Sequence, residues 1–146
     1  MVEQEWLLLG RPLRHVIGAT DGTPAPLVAP DPRWMALHKL WLSQKPRRAA
    51  LKRPKDQAQG LLLLRAVIEA MPAYPVDDAF LAAVPAELKG FLRIGIDWAL
   101  AHRSPPLAGE TGDEFARVKA AKLAPRVLRK IRRLAAALPE FPSNHD

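Results

Sequence analysis

The chain has no cysteine, which excludes disulfides, cysteine-ligated zinc and thiol nucleophiles together. Negative charge is scarce: 15 Asp and Glu stand against 22 Lys and Arg, a net charge of +7. Long apolar runs are missing as well. Leu61-Leu62-Leu63-Leu64 is cut by Arg65, far short of a membrane span. Met1-Val2-Glu3-Gln4-Glu5-Trp6 carries no basic leader, so no signal peptide is expected, and a cytoplasmic location follows. There is no Gly-rich phosphate loop, no Gly-x-Ser-x-Gly elbow and no Asp-x-Asp pair. What is present is a 146-residue chain, 49% hydrophobic and 25% charged, long enough for one domain with a real core.

The positive charge is unevenly placed. Eight Lys/Arg lie between Pro32 and Lys55, and eight more between Phe115 and Pro139, with no acid between Pro32 and Lys55 or between Arg117 and Leu138. Two cationic surfaces are therefore expected. They suit polyanions, although solubility alone also accounts for such charge.

The pattern along the chain predicts an α+β protein that is mostly helical, with a few short N-terminal strands followed by a bundle of about five helices. Trp6-Leu7-Leu8-Leu9 and His15-Val16-Ile17 read as strands, and Asp21-Gly22-Thr23-Pro24 as a turn before Leu27-Val28. So few strands make no independent sheet, so residues 1–30 read as the remnant or edge of a larger one and 31–146 as a helical domain. Asp31 followed by Pro32 is a helix start, with Trp34, Leu37 and Trp41 facing a core until Pro46 stops the helix. Residues 47–53 read as a basic loop. Helices are predicted over about 54–71, from Asp77 or Asp78 through Val84, and over 86–102. The last runs from about 113 to 138, kinked or split at Pro125, with Val127, Ile131, Leu134 and Leu138 on one side.

Lys55-Asp56 at a helix start is the sharpest local signal. The helix dipole alone favours Asp56, whereas a cation such as Lys55 opposes it and needs another reason. An anion bound beside exposed amide hydrogens supplies that reason, and Gln59, one turn on, shares the face. His38 reads as a core-flank histidine, a phosphate contact or a general base. It has no second His at ligand spacing, and neither do His15, His102 or His145, so no metal site is expected there. Glu3 and Glu5 alternate as two carboxylates on one strand face would, which suits either solvent or a divalent cation. Arg126, Arg129 and Arg133 share a face of the final helix, a solvated surface or one for nucleic acid or an acidic partner.

The run Val28-Ala29-Pro30-Asp31-Pro32-Arg33-Trp34-Met35-Ala36-Leu37-His38-Lys39-Leu40, followed by Lys52-Arg53-Pro54-Lys55-Asp56-Gln57-Ala58-Gln59, resembles a group of bacterial nucleotidyltransferase-fold proteins. These are similar to the wider polymerase-beta-like superfamily, which includes nucleotidyltransferase toxins of abortive-infection systems. The resemblance spans about residues 5–75 most densely. It implies a mixed sheet followed by helices, and a nucleoside triphosphate bound with magnesium. In that group a Gly-Ser turn and an Asp-x-Asp or Asp-x-Glu pair hold the metals that activate the attacking hydroxyl.

Neither element occurs in this sequence. The resemblance therefore implies either the C-terminal part of such a protein, with the carboxylates upstream of Met1 or on a separate chain, or a degenerate relative that only binds. No catalytic residue or metal ligand is assigned, and the isolated chain is expected to be inactive. By the same resemblance Lys55 contacts the triphosphate, Asp56 orients Lys55 or a nearby helix, and His38 and Lys39 line the nucleotide cleft. Lys52 and Gln59 complete the nucleotide-binding set. The alternative is a small basic helical module that binds nucleic acid or an acidic protein through Arg126, Arg129 and Arg133.

Overall fold

A computed structural model describes residues 5–102 and 125–140, with side chains of the last helix described from Leu128 onward. Two antiparallel strands, β1 (Leu13–Gly18) and β2 (Pro24–Ala29), pair with Leu13 opposite Ala29 and Gly18 opposite Pro24. The connection is the five residues 19–23. The Gly22 amide donates to the Ala19 carbonyl at 2.9 Å, and Gly22 sits at φ +83°, a left-handed position that glycine takes without strain. The Asp21 carboxylate accepts from the Thr23 amide and hydroxyl and closes the turn.

Trp6 lies in a short 3-10 helix, Glu5–Leu8, and not in the strand its apolar run suggests. A strand needs a pairing partner. This segment is held instead by one indole, buried edge-on against Trp41 with ring centroids 5.0 Å apart. Glu5 is exposed there, and Glu3 lies outside the described residues.

Among the described residues five helices follow: α1 (Pro32–Ser43), α2 (Arg53–Ala70), α3 (Asp78–Ala83), α4 (Ala86–Ala101) and α5 (Pro125–Ala137). The Asp31 side chain caps α1 by accepting from the Arg33 amide at 3.0 Å, and Pro32 takes the first helical position, where no amide hydrogen is needed. Burial pushes the Asp31 carboxyl up. Hydrogen bonds from the Arg33 side chain and from the Arg11 and Arg33 amides outweigh it and hold the carboxyl below its ordinary range. Asp77 caps α3 through the Phe80 amide at 2.9 Å. α1 ends at Ser43, ahead of Pro46, because the residue before a proline is steered out of helical geometry. Pro125 stands at the start of α5. The expected helical stretch 113–124 lies outside the described residues.

The core forms where α1, α2 and α4 meet, around Leu37, Leu64, Leu88, Leu92 and Ile96, all fully buried. α5 adds Ile131, Leu134 and Leu138, as its spacing predicts, while the Val127 side chain lies outside the described residues. Two glycines let the helices approach. A methyl on Gly60 would stand 2.8 Å from Leu40 Cγ and 3.0 Å from the Ala36 carbonyl oxygen, and one on Gly95 would collide with Leu64. Gly60→Ala should therefore destabilise the protein, since overpacking costs about 1–3 kcal/mol while helix propensity returns at most about 1 kcal/mol. Urea unfolding checks this. A stabilised variant would show that α1 and α2 are not in tight contact. None of the described helices is long and apolar enough to cross a membrane.

Candidate functional site

Between Asp31 and Glu69 the chain contains one acid, Asp56, amid the basic run. It sits in the first turn of α2 with its side chain only 3% exposed. One carboxylate oxygen accepts from Lys39 Nζ at 3.1 Å, and the other accepts from Arg48 Nε at 2.6 Å. α1, the α1–α2 loop and α2 are thus joined at one buried carboxylate. The hydrogen bond from Arg48 does most to lower the Asp56 carboxyl from its ordinary value. Burial opposes this, and Lys39 reinforces it.

The loop, residues 44–52, is built from the same cations. Arg53 turns back to donate from Nε to the Arg48 carbonyl at 3.0 Å and from Nη2 to the Pro46 carbonyl at 2.9 Å. The Lys45 ammonium lies 3.8 Å from the centre of the Trp41 ring, a cation–π contact. Leu42, Lys45, Pro46, Arg47 and Arg48 line an open concavity of about 460 Å³. Arg48 belongs to both the concavity and the ion pair. Anchored by Asp56 on one side, it presents a cationic wall on the other.

The remaining cations have different neighbours. Arg33 pairs with Asp31 at 2.7 Å, away from the loop. Arg47, Lys52 and Lys55 are exposed, and their side chains make no ion pair or hydrogen bond with any described residue. Lys52, Lys55 and Gln59 are spaced three and four residues apart and so share one exposed face of α2. Lys52 occupies the N-cap position, and no side chain caps the helix. The first helical bond runs from the Asp56 amide to the Lys52 carbonyl at 2.9 Å, so the amides of Arg53 and Lys55 stand ahead of the ladder. Positive side chains here surround the positive end of a helix dipole. That arrangement disfavours the empty helix end and favours an anion placed on it.

Residues 3–85 match the nucleotidyltransferase family. The chain belongs to that family. No curated protein and no solved structure is significantly similar to it. The match takes in the hairpin, α1, α2 and α3, and every residue of the α1–α2 ion-pair cluster falls inside it.

In this member of the family the residues singled out from sequence divide in two. Lys39 and Asp56 come together, and Asp56 takes Lys39 and Arg48, not Lys55, as partners. His38 is buried, its ring stacked on Trp41 with centroids 5.9 Å apart, so it belongs to the floor beneath the loop. Lys52, Lys55 and Gln59 form the exposed face. Sequence reasoning missed Arg48, the closest partner of Asp56, and Arg47 and Lys45 in the concavity. A lone acid after eight basic residues was the available signal, because a buried carboxylate needs a cation. On α5, Arg129 and Arg133 are exposed, with Arg133 3.7 Å from Asp78, and the Arg126 side chain lies outside the described residues.

Asp56 does not fit a magnesium site. Both its oxygens already accept from cations, and among the described residues no group of three His, Cys, Asp or Glu could hold a metal. The exposed cations and the uncapped start of α2 give the described site a positive character.

Proposed function

We propose that this nucleotidyltransferase binds the phosphates of a nucleoside triphosphate at the start of α2, with Lys52, Lys55 and Arg47 as direct contacts. The observation that carries this reading is the uncapped, cation-ringed first turn of α2, beside an Asp56 that is fully engaged by Lys39 and Arg48. In this reading Lys39 and Arg48 act as positioning residues, holding the loop so that Arg47 faces the phosphates. Gln59 donates further along the same face, and His38 supports the loop from below. The carboxylates that hold metal in nucleotide transfer come from another polypeptide segment, and this chain alone binds without turning over.

Isothermal calorimetry with magnesium-ATP and magnesium-CTP tests the proposal. The double substitution Lys52→Ala/Lys55→Ala should weaken triphosphate binding by about tenfold or more, the loss of roughly two charge-assisted contacts. Thermal stability should not fall, since neither side chain makes an ion pair or hydrogen bond with a described residue and both cations oppose the helix dipole. Unchanged affinity would remove the site from α2. Nucleotide transfer by the isolated chain would overturn the claim that the carboxylates lie elsewhere.

A second reading rests on α5, whose Arg129, Lys130, Arg132 and Arg133 are all exposed while its apolar residues face the core. That face suits nucleic acid or an acidic protein. Binding of short RNA or DNA that falls steeply with salt, depends on Arg129 and Arg133 and ignores Lys55 would favour it.

A further inference from the structure

The two edges of the β-hairpin are treated differently by the sequence. The Ala19 amide donates to the Thr23 carbonyl at 2.8 Å, which sets the alternation of the antiparallel ladder. In this register His15 and Ile17 point their amides inward at Leu27 and Ala25. Arg14, Val16 and Gly18 point theirs outward, as do the positions opposite them, Val28, Pro26 and Pro24. Two of the three outward positions on β2 are proline and carry no amide hydrogen. The outer edge of β2 is therefore closed to a further strand, a common defence of exposed edges. β1 has no such defence. All three of its outward residues offer both a donor and an acceptor.

Among the described residues the hairpin is also apolar and uncovered. Val16 is 64% exposed and Val28 58%, with Ile17 and Leu27 each above 40%. Among the described residues the sheet has only two strands, and such a hairpin is marginal by itself. An open edge beside a guarded one marks β1 as the side where a strand adds.

We infer that β1 pairs antiparallel with β1 of a second copy of this chain, making one four-stranded sheet across a two-fold axis. The charges choose the register. With Val16 opposite Val16 of the other copy, Arg14 faces Gly18 and His15 faces Ile17, so no like charges meet. All three outward residues of each strand are then satisfied. Centring the pair on Arg14 would set two guanidinium groups side by side, and centring it on Gly18 would leave Arg14 beyond the partner strand. An isologous contact of this kind closes on itself and leaves the proline-bearing β2 strands as the outer edges, which stops further growth. The contact is small, so association should depend on concentration. This inference is independent of the nucleotide site on α2.

Sedimentation velocity over a range of concentrations, paired with amide hydrogen exchange, tests it. The wild-type chain should dimerise, and the amides of Arg14, Val16 and Gly18 should gain protection as concentration rises. Those of His15 and Ile17 should be protected throughout. Val16→Pro removes one outward amide and no hairpin bond, repeating on β1 what Pro26 does opposite. It should weaken dimerisation by about tenfold or more with the helical circular dichroism unchanged. Val16→Thr keeps the amide and should dimerise like wild type. A monomer at all concentrations, a dimer indifferent to Val16→Pro, or a dimer without protection at Arg14, Val16 and Gly18 would each overturn the inference.

Discussion

Asp56→Ala should lower the unfolding free energy by about 2–4 kcal/mol, because it leaves two cations facing a vacated buried carboxylate position. The upper end for a broken buried ion pair is not expected. Lys39 and Arg48 are 27% and 30% exposed, so both can recover part of their hydration. Lys39→Ala should cost less than Asp56→Ala, since Arg48 still compensates the carboxylate at 2.6 Å. Asp56→Ala also frees the α1–α2 loop and should weaken triphosphate binding even though Asp56 repels phosphate. A carboxylate acting only as a nearby negative charge would give the opposite sign, tighter binding on removal. Urea titration and calorimetry on the one variant separate these outcomes.

Acid should act through the same group. The carboxyls of Asp56 and Asp31 are held below their ordinary value of 3.8, so the unfolded chain binds protons more readily than the native one. Their stabilisation is fully present above that value and is lost as pH falls from it through the depressed native values. Stability measured downward from pH 5 should therefore decline, and Asp56→Asn should decline less steeply than wild type. Identical slopes would show that Asp56 is not selectively ionised by the fold.

Leu64→Ala should cost about 2–5 kcal/mol, the range for deleting a fully buried leucine where the surroundings collapse only partly. Gly95→Ala should cost about 1–3 kcal/mol alone, since its methyl would enter the space of Leu64 with Leu40 Cδ1 3.3 Å away. Together they should be less destabilising than the sum of the two, because the added methyl occupies the cavity the leucine leaves. A double variant whose cost equals that sum would mean that α2 and α4 do not share this contact.

Much of the fold was legible because the signals are local. Asp31-Pro32 and Asp77 mark helix starts through a cap bond made two or three residues away, and spacing of three and four residues placed Trp34, Leu37, Trp41, Ile131 and Leu134 inside. Trp6 was misread because its apolar run suits a strand, while its partner, Trp41, is 35 positions away and invisible to any periodic pattern. His38 is buried beside Trp41, three positions along the same helix, as its reading as a core-flank histidine expects.

By itself the amino-acid sequence determined the order of the hairpin and the described helices, though not the 3-10 turn at Trp6, and the basic character of residues 32–55. All of these follow from interactions within a turn or two of helix. Only the tertiary structure decided how that charge is divided, with Lys39 and Arg48 on Asp56, Arg53 on loop carbonyls, and Arg47, Lys52 and Lys55 left facing solvent. The division depends on where α1 crosses α2. Gly60 sets that distance against Leu40 and the Ala36 carbonyl, contacts between residues 20 and more positions apart. A carboxylate pairs with whichever cation the packing brings within about 3 Å, not with its neighbour in the chain.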